Sequence, residues 1–299
     1  MQRFPAIDLK NVYSPYHEPH GRVADGETFI VETEDCFDGR FRDPSGYTPE
    51  NIEWVEENLD VVTGPIFVEG AKSGDVVAVR IDAIEVTTPG TVVIGPFEDP
   101  SPDDWWLDEE YAMSLPVQDG YVRLGDQLRV PVRPVIGCLA TAPKQEVVLS
   151  RHEDKFGGNQ DCNPMTAGST VVLPVNVDGA FLYFGDCKAR MADGEIAAAP
   201  EVGTLITATA SVRPRPTSMR WPRIETESEL MTVVSDISLA DACRQAFREM
   251  MLWIEEDKGA ERRMIALLMA MVADTAVCQV SNRLHTARCT MPRGPLAEL

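Results

Sequence analysis

The sequence predicts a mixed α+β, β-rich fold, with β-sandwich or barrel-like sheets and a helical C-terminal part. Three observations predict it. Stretches in which apolar and polar residues alternate recur through the first two-thirds of the chain, the period of half-buried strands. Gly, Pro, Asn and Asp punctuate them at short intervals, as the turns of a sandwich or barrel require. The last quarter changes to helical spacing with capping residues at its ends. This pattern divides the chain into a β-rich domain, 1–225, and a helical part packed on it, 226–299.

The elements follow in order. Glu27 to Cys36 alternates Phe29, Val31 and Thr33 against Ile30, Glu32 and Glu34. Ser73 to Val86 opens on a Ser-Gly-Asp turn and then sets Val77, Val79, Ile81 and Ala83 against Ala78, Arg80 and Asp82, a period of two. Further strands are expected within 90–95, 121–134, 168–177, 180–185 and 203–212. The acidic stretch 95–116, with the adjacent pair Trp105 and Trp106, is too irregular for a strand and reads as a long loop or short helix. Loops of that length in compact domains are usually functional or insertions. Helix signals begin at Ser238, whose Ser-x-x-Asp spacing resembles a capping box, and end at Gly259, a natural C′ residue. Ala242, Ala246, Met250, Trp253 and Ile254 form one apolar stripe. A second helix is expected from about 260 to 277.

Composition narrows the function classes. A net charge of −21 disfavours nucleic acid and anionic membrane surfaces as partners, because both would repel the chain. No apolar run reaches the roughly 18 residues of a membrane-spanning helix. The N-terminal residues lack the apolar core of a secretory signal. Seven cysteines without a CxxC spacing argue against a zinc ribbon or thioredoxin-like motif and fit a reducing, cytoplasmic setting.

Four short stretches concentrate polar chemistry at strand ends and turns: 32–41, 60–71, 156–162 and 185–195. Together they resemble the acetamidase/formamidase family. Thr33 and Asp35 match its N-terminal Thr-x-Asp. "TGPIFVEGAKSGDVV" (63–77) matches a segment like TGPVYVEGAEPGDVL, and "GGNQDCNPMTAGSTVVLPV" (157–175) matches GGNxDxxxLxxGSTLYLPV. The likeness continues through "GAFLYFGD" and "DGE" into the C-terminal helices.

The resemblance implies hydrolysis of a small linear amide, such as formamide or acetamide, to an acid and ammonia. It also implies a divalent metal, zinc or calcium, and assembly into homo-oligomers acting on a small-molecule substrate. On the matching segments of this chain the candidate metal ligands are Asp35, Asp60 and Asp161, the candidate substrate contacts Asn159, Gly158 and Thr63, and the candidate catalytic groups Glu195 and Lys188. The chemistry supports such roles. An amide is a poor electrophile with a poor leaving group, so its hydrolysis needs an activated water, a cation or donor for the oxyanion, and an acid for nitrogen. Cys162 has no neighbouring histidine to activate it as a nucleophile. Among the histidines, His17 and His20 precede the first long strand, whereas His152 lies nearer the proposed site.

Two departures qualify the resemblance. Where family members carry a histidine in GDxHAxQGDGE this chain has Lys188, and where many carry one before Thr-Gly-Pro it has Asp60. A neutral imidazole binds zinc, and a protonated lysine repels it. The chain could bind a harder cation through its aspartates or use Lys188 as the fixed positive charge. It could instead be an altered homologue that binds a small amide-like or carboxylated ligand without turnover. Lys188 on the solvated surface is a further reading.

Overall fold

The computed structural model describes residues 1–94 and 111–299. Trp105, Trp106 and the rest of 95–110 lie outside the described residues. The end of the stretch expected as a loop or short helix is instead a strand, Tyr111–Leu115, paired antiparallel with Gly90–Ile94, whose open edge supplies the hydrogen bonds that its sequence does not signal. Two large sheets face each other. One has nine strands in the order Gln2–Phe4, Thr28–Thr33, Thr204–Arg213, Val76–Val86, Thr170–Pro174, Arg223–Glu225, Glu229–Asp236, His285–Pro292 and Asp274–Gln279. The other is built around the adjacent strands Gly157–Asn159, Val135–Ala140 and Leu182–Lys188. The period of two seen in the sequence is what fills the space between them. Val77, Val79 and Ile81 of one sheet and Ile136, Leu139 and Phe184 of the other belong to one buried core.

Helix α1 (Pro49–Asn58) has Thr48 as its N-cap, accepting from the Asn51 amide, with proline in its first turn. Helix α2 (Leu239–Lys258) begins at Ser238, whose hydroxyl accepts from the Asp241 amide, and ends at Gly259 in the left-handed region. Its buried stripe includes Ala242, Ala246, Met250 and Ile254. Ala246, Met250 and Ile254 pack with Val234, Cys289 and Met291 of the first sheet and with Ile265 and Met269 of helix α3 (Arg262–Val272).

The expected second helix is shorter than its apolar run suggests. It stops at Val272, and Asp274–Gln279 continues as an antiparallel strand beside His285–Pro292. Thr275 and Val277 suit a strand, and the open edge of the neighbouring strand supplies the pairing that decides between the two conformations. Among the described residues no helix is long and apolar enough to cross a membrane.

The strand Leu182–Lys188 changes partner partway along one edge. Its first half pairs with Val62–Val68 through Leu182, Phe184 and Gly185, whereas Cys187 and Lys188 pair with Val202 and Glu201. Asp186, between the two sets, has a φ of 52°. The sheet therefore splits at Asp186, and the gap is where polar side chains collect.

Candidate active site

A cavity of about 200 Å³ opens at this split. Its floor holds Asp60, Asp161, Asp186, Lys188, Glu195 and Glu201, and its walls include Cys36, Phe37, Leu59 and Ile196. Each floor residue is fixed by a different element. Asp60 follows α1 across a cis Leu59–Asp60 peptide and leads into the Val62–Val68 strand. Asn159 ends a strand that starts with Gly157 and Gly158, both at positive φ. A Cβ there would lie 2.3 Å from the Leu139 carbonyl oxygen at Gly157, or 2.3 Å from that of His152 at Gly158. The glycine pair of the motif is thus what lets this strand lie between its two neighbours.

Asp161 sits two residues further on at φ 43° and donates its amide to the Gly137 carbonyl. Gly137 is itself part of the site. A Cβ on it would lie 2.2 Å from Asp186 Oδ2 and 2.4 Å from Asp161 Oδ1, so only glycine lets both carboxylates close over this strand. Glu195 is presented by the Asp-Gly-Glu turn. That turn is anchored to the C-terminal hairpin through Gly194 N to the Cys278 carbonyl and Val280 N to the Gly194 carbonyl. Glu201 comes from the short strand that pairs with Lys188.

Lys188 lies at the centre, with its side chain 3% exposed. Its Nζ donates to Asp161 Oδ1 at 2.6 Å and to Asp186 Oδ2 at 2.5 Å, and it lies 3.3 Å from Glu195 Oε1 and 3.6 Å from Glu201 Oε1. The surface reading of Lys188 does not hold. Burial works against its charge, but the surrounding carboxylates outweigh burial and hold the ammonium well above the ordinary lysine value. The acids respond in kind. Burial, then the neighbouring carboxylates, push Asp60 and Asp161 well above the usual carboxylate range. Burial raises Glu201 well above its ordinary value too, against the pull of Lys188. Glu195 is pushed up to about 7, burial again leading while Lys188 restrains it.

Three acceptor atoms in the cavity lining are buried without a hydrogen-bond partner among the described residues: Asn159 Oδ1, Glu195 Oε2 and Glu201 Oε2. Asn159 Nδ2, by contrast, donates to Asp60 Oδ2 at 2.7 Å. Orphaned acceptors in a buried pocket are costly unless a donor or a cation arrives to meet them.

Of the residues singled out from the sequence, Asp60, Asn159, Asp161, Lys188 and Glu195 line this cavity. Asp35, Thr63 and Gly158 do not. The Asp35 carboxylate turns back on its own loop, accepting from the Phe37 and Gly39 amides, with Arg42 at 3.2 Å. The Thr63 hydroxyl donates to the Glu32 carbonyl oxygen at 2.7 Å. Gly158 serves the strand through its backbone. Cys162 is fully buried against Cys278, sulfur to sulfur 3.3 Å, and burial raises its thiol well above the ordinary value, the opposite of an activated nucleophile. The His17 ring nitrogen is bonded to Tyr183, and His152 lines the cavity.

The sequence reading passed over Asp186, Glu201 and Cys36. Asp186 lay inside a quoted motif, two residues from Lys188, on the strand face a period of two would assign to both. Cys36, Asp60 and Asp186 offer ligand atoms that all lie within 4.8 Å of one another, all buried. This group could hold a metal ion, and its donors fit one.

A two-sheet scaffold with a buried acid–lysine cavity at a sheet split defines the class: a β-rich protein with an ionisable cluster in a small pocket. The comparisons with known proteins make the assignment specific. The acetamidase/formamidase family model matches residues 5–155 and 150–227, and the chain belongs to that family. Acetamidase from Bacillus halodurans is 28% identical, with 99% of each chain covered and a TM-score of 0.93. A predicted acetamidase/formamidase from Thermoanaerobacter tengcongensis is 29% identical, covering 99% of this chain and 97% of the other, with a TM-score of 0.91. Acetamidase from Yersinia enterocolitica is 25% identical over 99% and 92% of the two chains, with a TM-score of 0.89. No curated protein sequence matches the chain.

Proposed function

We propose that this protein hydrolyses the C–N bond of a small non-peptide amide to a carboxylic acid and ammonia. One observation carries the reading: five carboxyl groups and one buried lysine converge on a cavity of about 200 Å³ in a chain of the acetamidase/formamidase family. A cavity of about 200 Å³ suits a small molecule.

The groups divide the work that amide hydrolysis demands. Glu195, held at about 7, exchanges its proton near neutrality. It takes one from the attacking water and returns one to the leaving nitrogen. Asn159 has committed its Nδ2 to Asp60 and keeps Oδ1 open, so it accepts an N–H of the substrate amide rather than facing the oxyanion. The Lys188 ammonium fixes Asp161 and Asp186 in place, and its charge favours the negative charge that develops on the carbonyl oxygen.

Cys36, Asp60 and Asp186 would hold a divalent metal. When bound, such an ion supplies a water of lowered pKa and a Lewis acid for the carbonyl. A thiol beside two carboxylates favours zinc over calcium, which takes oxygen donors. A second reading rests on Lys188 alone. An ammonium 2.5 Å from Asp186 opposes a dication there, which supports a homologue that binds a small ligand without turning it over.

Ammonia release from formamide, acetamide, propionamide and succinamate tests the choice, measured before and after chelation and after zinc is restored. Release from at least one amide is expected. Silence across the panel in every metal state would discard the amidase reading in favour of the second.

A further inference from the structure

The cavity is electrically lopsided. Its floor is acidic, and Lys188 there is already shared among four carboxylates. Its outer side carries Arg151 and Arg283. Arg151 is half-buried and Arg283 exposed, whereas Asp60, Asp161, Asp186, Lys188 and Glu201 are all buried. The two arginines therefore stand toward solvent, at the entrance.

They arrive there from distant parts of the chain. Arg151 lies between the strands Val148–Leu149 and Glu153–Asp154, and Arg283 on the connection between Asp274–Gln279 and His285–Pro292. The Arg283 loop is tied to the floor by its neighbour, since Asn282 Nδ2 donates to the Asn159 carbonyl oxygen at 2.9 Å. Among the described residues neither arginine forms an ion pair with a carboxylate. Arg151 has a single bond, from Nη1 to the Glu56 carbonyl oxygen at 3.2 Å. Both guanidinium groups act on His152 between them. Burial first, then Arg151 and Arg283, lower it below the ordinary histidine value, which leaves a neutral imidazole as a further hydrogen-bonding group at the mouth.

We infer that Arg151 and Arg283 form an anion subsite, and that the preferred substrate is a short amide bearing a carboxylate at its far end. Guanidinium groups match a carboxylate with paired N–H donors. Leu59 and Ile196 also line the cavity and give a methylene spacer apolar contact. The amide end reaches Asn159 and Glu195, and the carboxylate stays at the entrance, where it avoids the acids that would repel it. The orientation follows from where the free cations are, since an anion turned inward would meet five buried carboxyl groups, which would have to take up further protons to sit beside it. This inference names the substrate class for the amidase reading above and rests on it.

The test separates the two. Calorimetry measures binding of succinamate and of butyramide, its neutral counterpart of equal chain length, to the wild type, Arg151→Ala, Arg283→Ala, Arg283→Lys and the double alanine variant. The wild type is expected to favour succinamate about ten- to a hundredfold, the worth of one or two charge-assisted hydrogen bonds. Each alanine variant should lose most of that preference, the double variant all of it, and Arg283→Lys should keep part. Equal affinity for the two amides, no binding of succinamate, or a preference that survives in the double variant would overturn the inference. Ammonia release is read in parallel. Arginine-dependent binding without ammonia from any amide would retain the anion subsite and remove the amidase reading, whereas ammonia from butyramide without the preference would do the reverse.

Discussion

Replacing Lys188 with methionine removes the charge at the centre of the site and nearly preserves its length. In the wild type the ammonium lies within 2.5 to 3.6 Å of four carboxyl groups, two of them directly hydrogen-bonded, with the side chain 3% exposed. Removing one partner from a buried ion pair costs about 3–5 kcal/mol, because the remaining charges are left without compensation. A change of comparable volume contributes less than about 1.5 kcal/mol through packing, so the loss reads as electrostatic. For a chain of this size a urea slope near 3 kcal/mol/M turns that loss into a midpoint lowered by about 1–1.7 M. The double variant Lys188→Met/Asp161→Asn should recover part of the loss, since it removes one stranded carboxylate with its partner. Equilibrium urea unfolding followed by tryptophan fluorescence reads both. A single variant within about 1 kcal/mol of wild type, or a double variant no better than the single, would refute the view that Lys188 neutralises this cluster.

Four further outcomes are expected. Lys188→His places a neutral imidazole at the family's histidine position and should raise the bound zinc of purified protein toward one per chain, read by elemental analysis. Gly137→Ala puts a methyl group 2.2 Å from Asp186 Oδ2 and 2.4 Å from Asp161 Oδ1; it should cost about 1–3 kcal/mol of stability and abolish ammonia release. Glu195→Gln keeps the shape but cannot exchange a proton, and kcat should fall by about 10²- to 10⁴-fold with little change in KM. Glu153 is pushed up to about 9 from an ordinary 4.5, first by burial and then by Asp161. That cost is absent below pH 4.5, grows as pH rises, and is complete above pH 9. The gap caps it at about 6 kcal/mol, so Glu153→Gln should be more stable than wild type by roughly 2–4 kcal/mol at pH 9 and equal to it at pH 4, read by urea unfolding across that range.

Local features made part of this molecule legible in its sequence. Alternation placed the strands Thr28–Thr33, Val76–Val86 and Thr204–Arg213, and the Ser238 and Gly259 caps bounded α2, because those signals act within a few residues of each other. The cavity was legible where a motif carried it, as in Asn159 with Asp161 and Asp60 before Thr-Gly-Pro. Glu201 had no signal, since its place in the site comes only from pairing with Lys188 across the sheet. Cys36 differs from Asp35 by one position, and which of them enters the cavity depends on the turn in which Asp35 accepts the Phe37 and Gly39 amides. Arg151 and Arg283 lie 132 residues apart by number, in segments whose sequences say nothing of each other, and share a cavity only because the fold brings both loops to the same sheet split.

The same charge count bears on the Lys188 substitution. Five carboxyl groups face one lysine, so if all ionised the floor would carry four uncompensated negative charges in a space where Asp60, Asp161 and Asp186 are each at most 5% exposed. Buried charge at that density is not sustained; protons or a cation must take it up. Burial, with the neighbouring carboxylates, pushes Asp60, Asp161 and Glu201 well above the usual carboxylate range, which favours the first route. Lys188 supplies one permanent positive charge but leaves the acids in excess, so it cannot stand in fully for a dication. An ion at Cys36, Asp60 and Asp186 is therefore compatible with the lysine in charge, though it must share Asp186 with it. If such an ion is held, Asp186→Asn should weaken it and loosen Lys188 together, whereas Glu201→Gln, outside the ligand group, should leave metal content unchanged. Parallel metal analysis and urea unfolding of the two variants test this, and equal metal loss in both would rule out Cys36, Asp60 and Asp186 as the holding group.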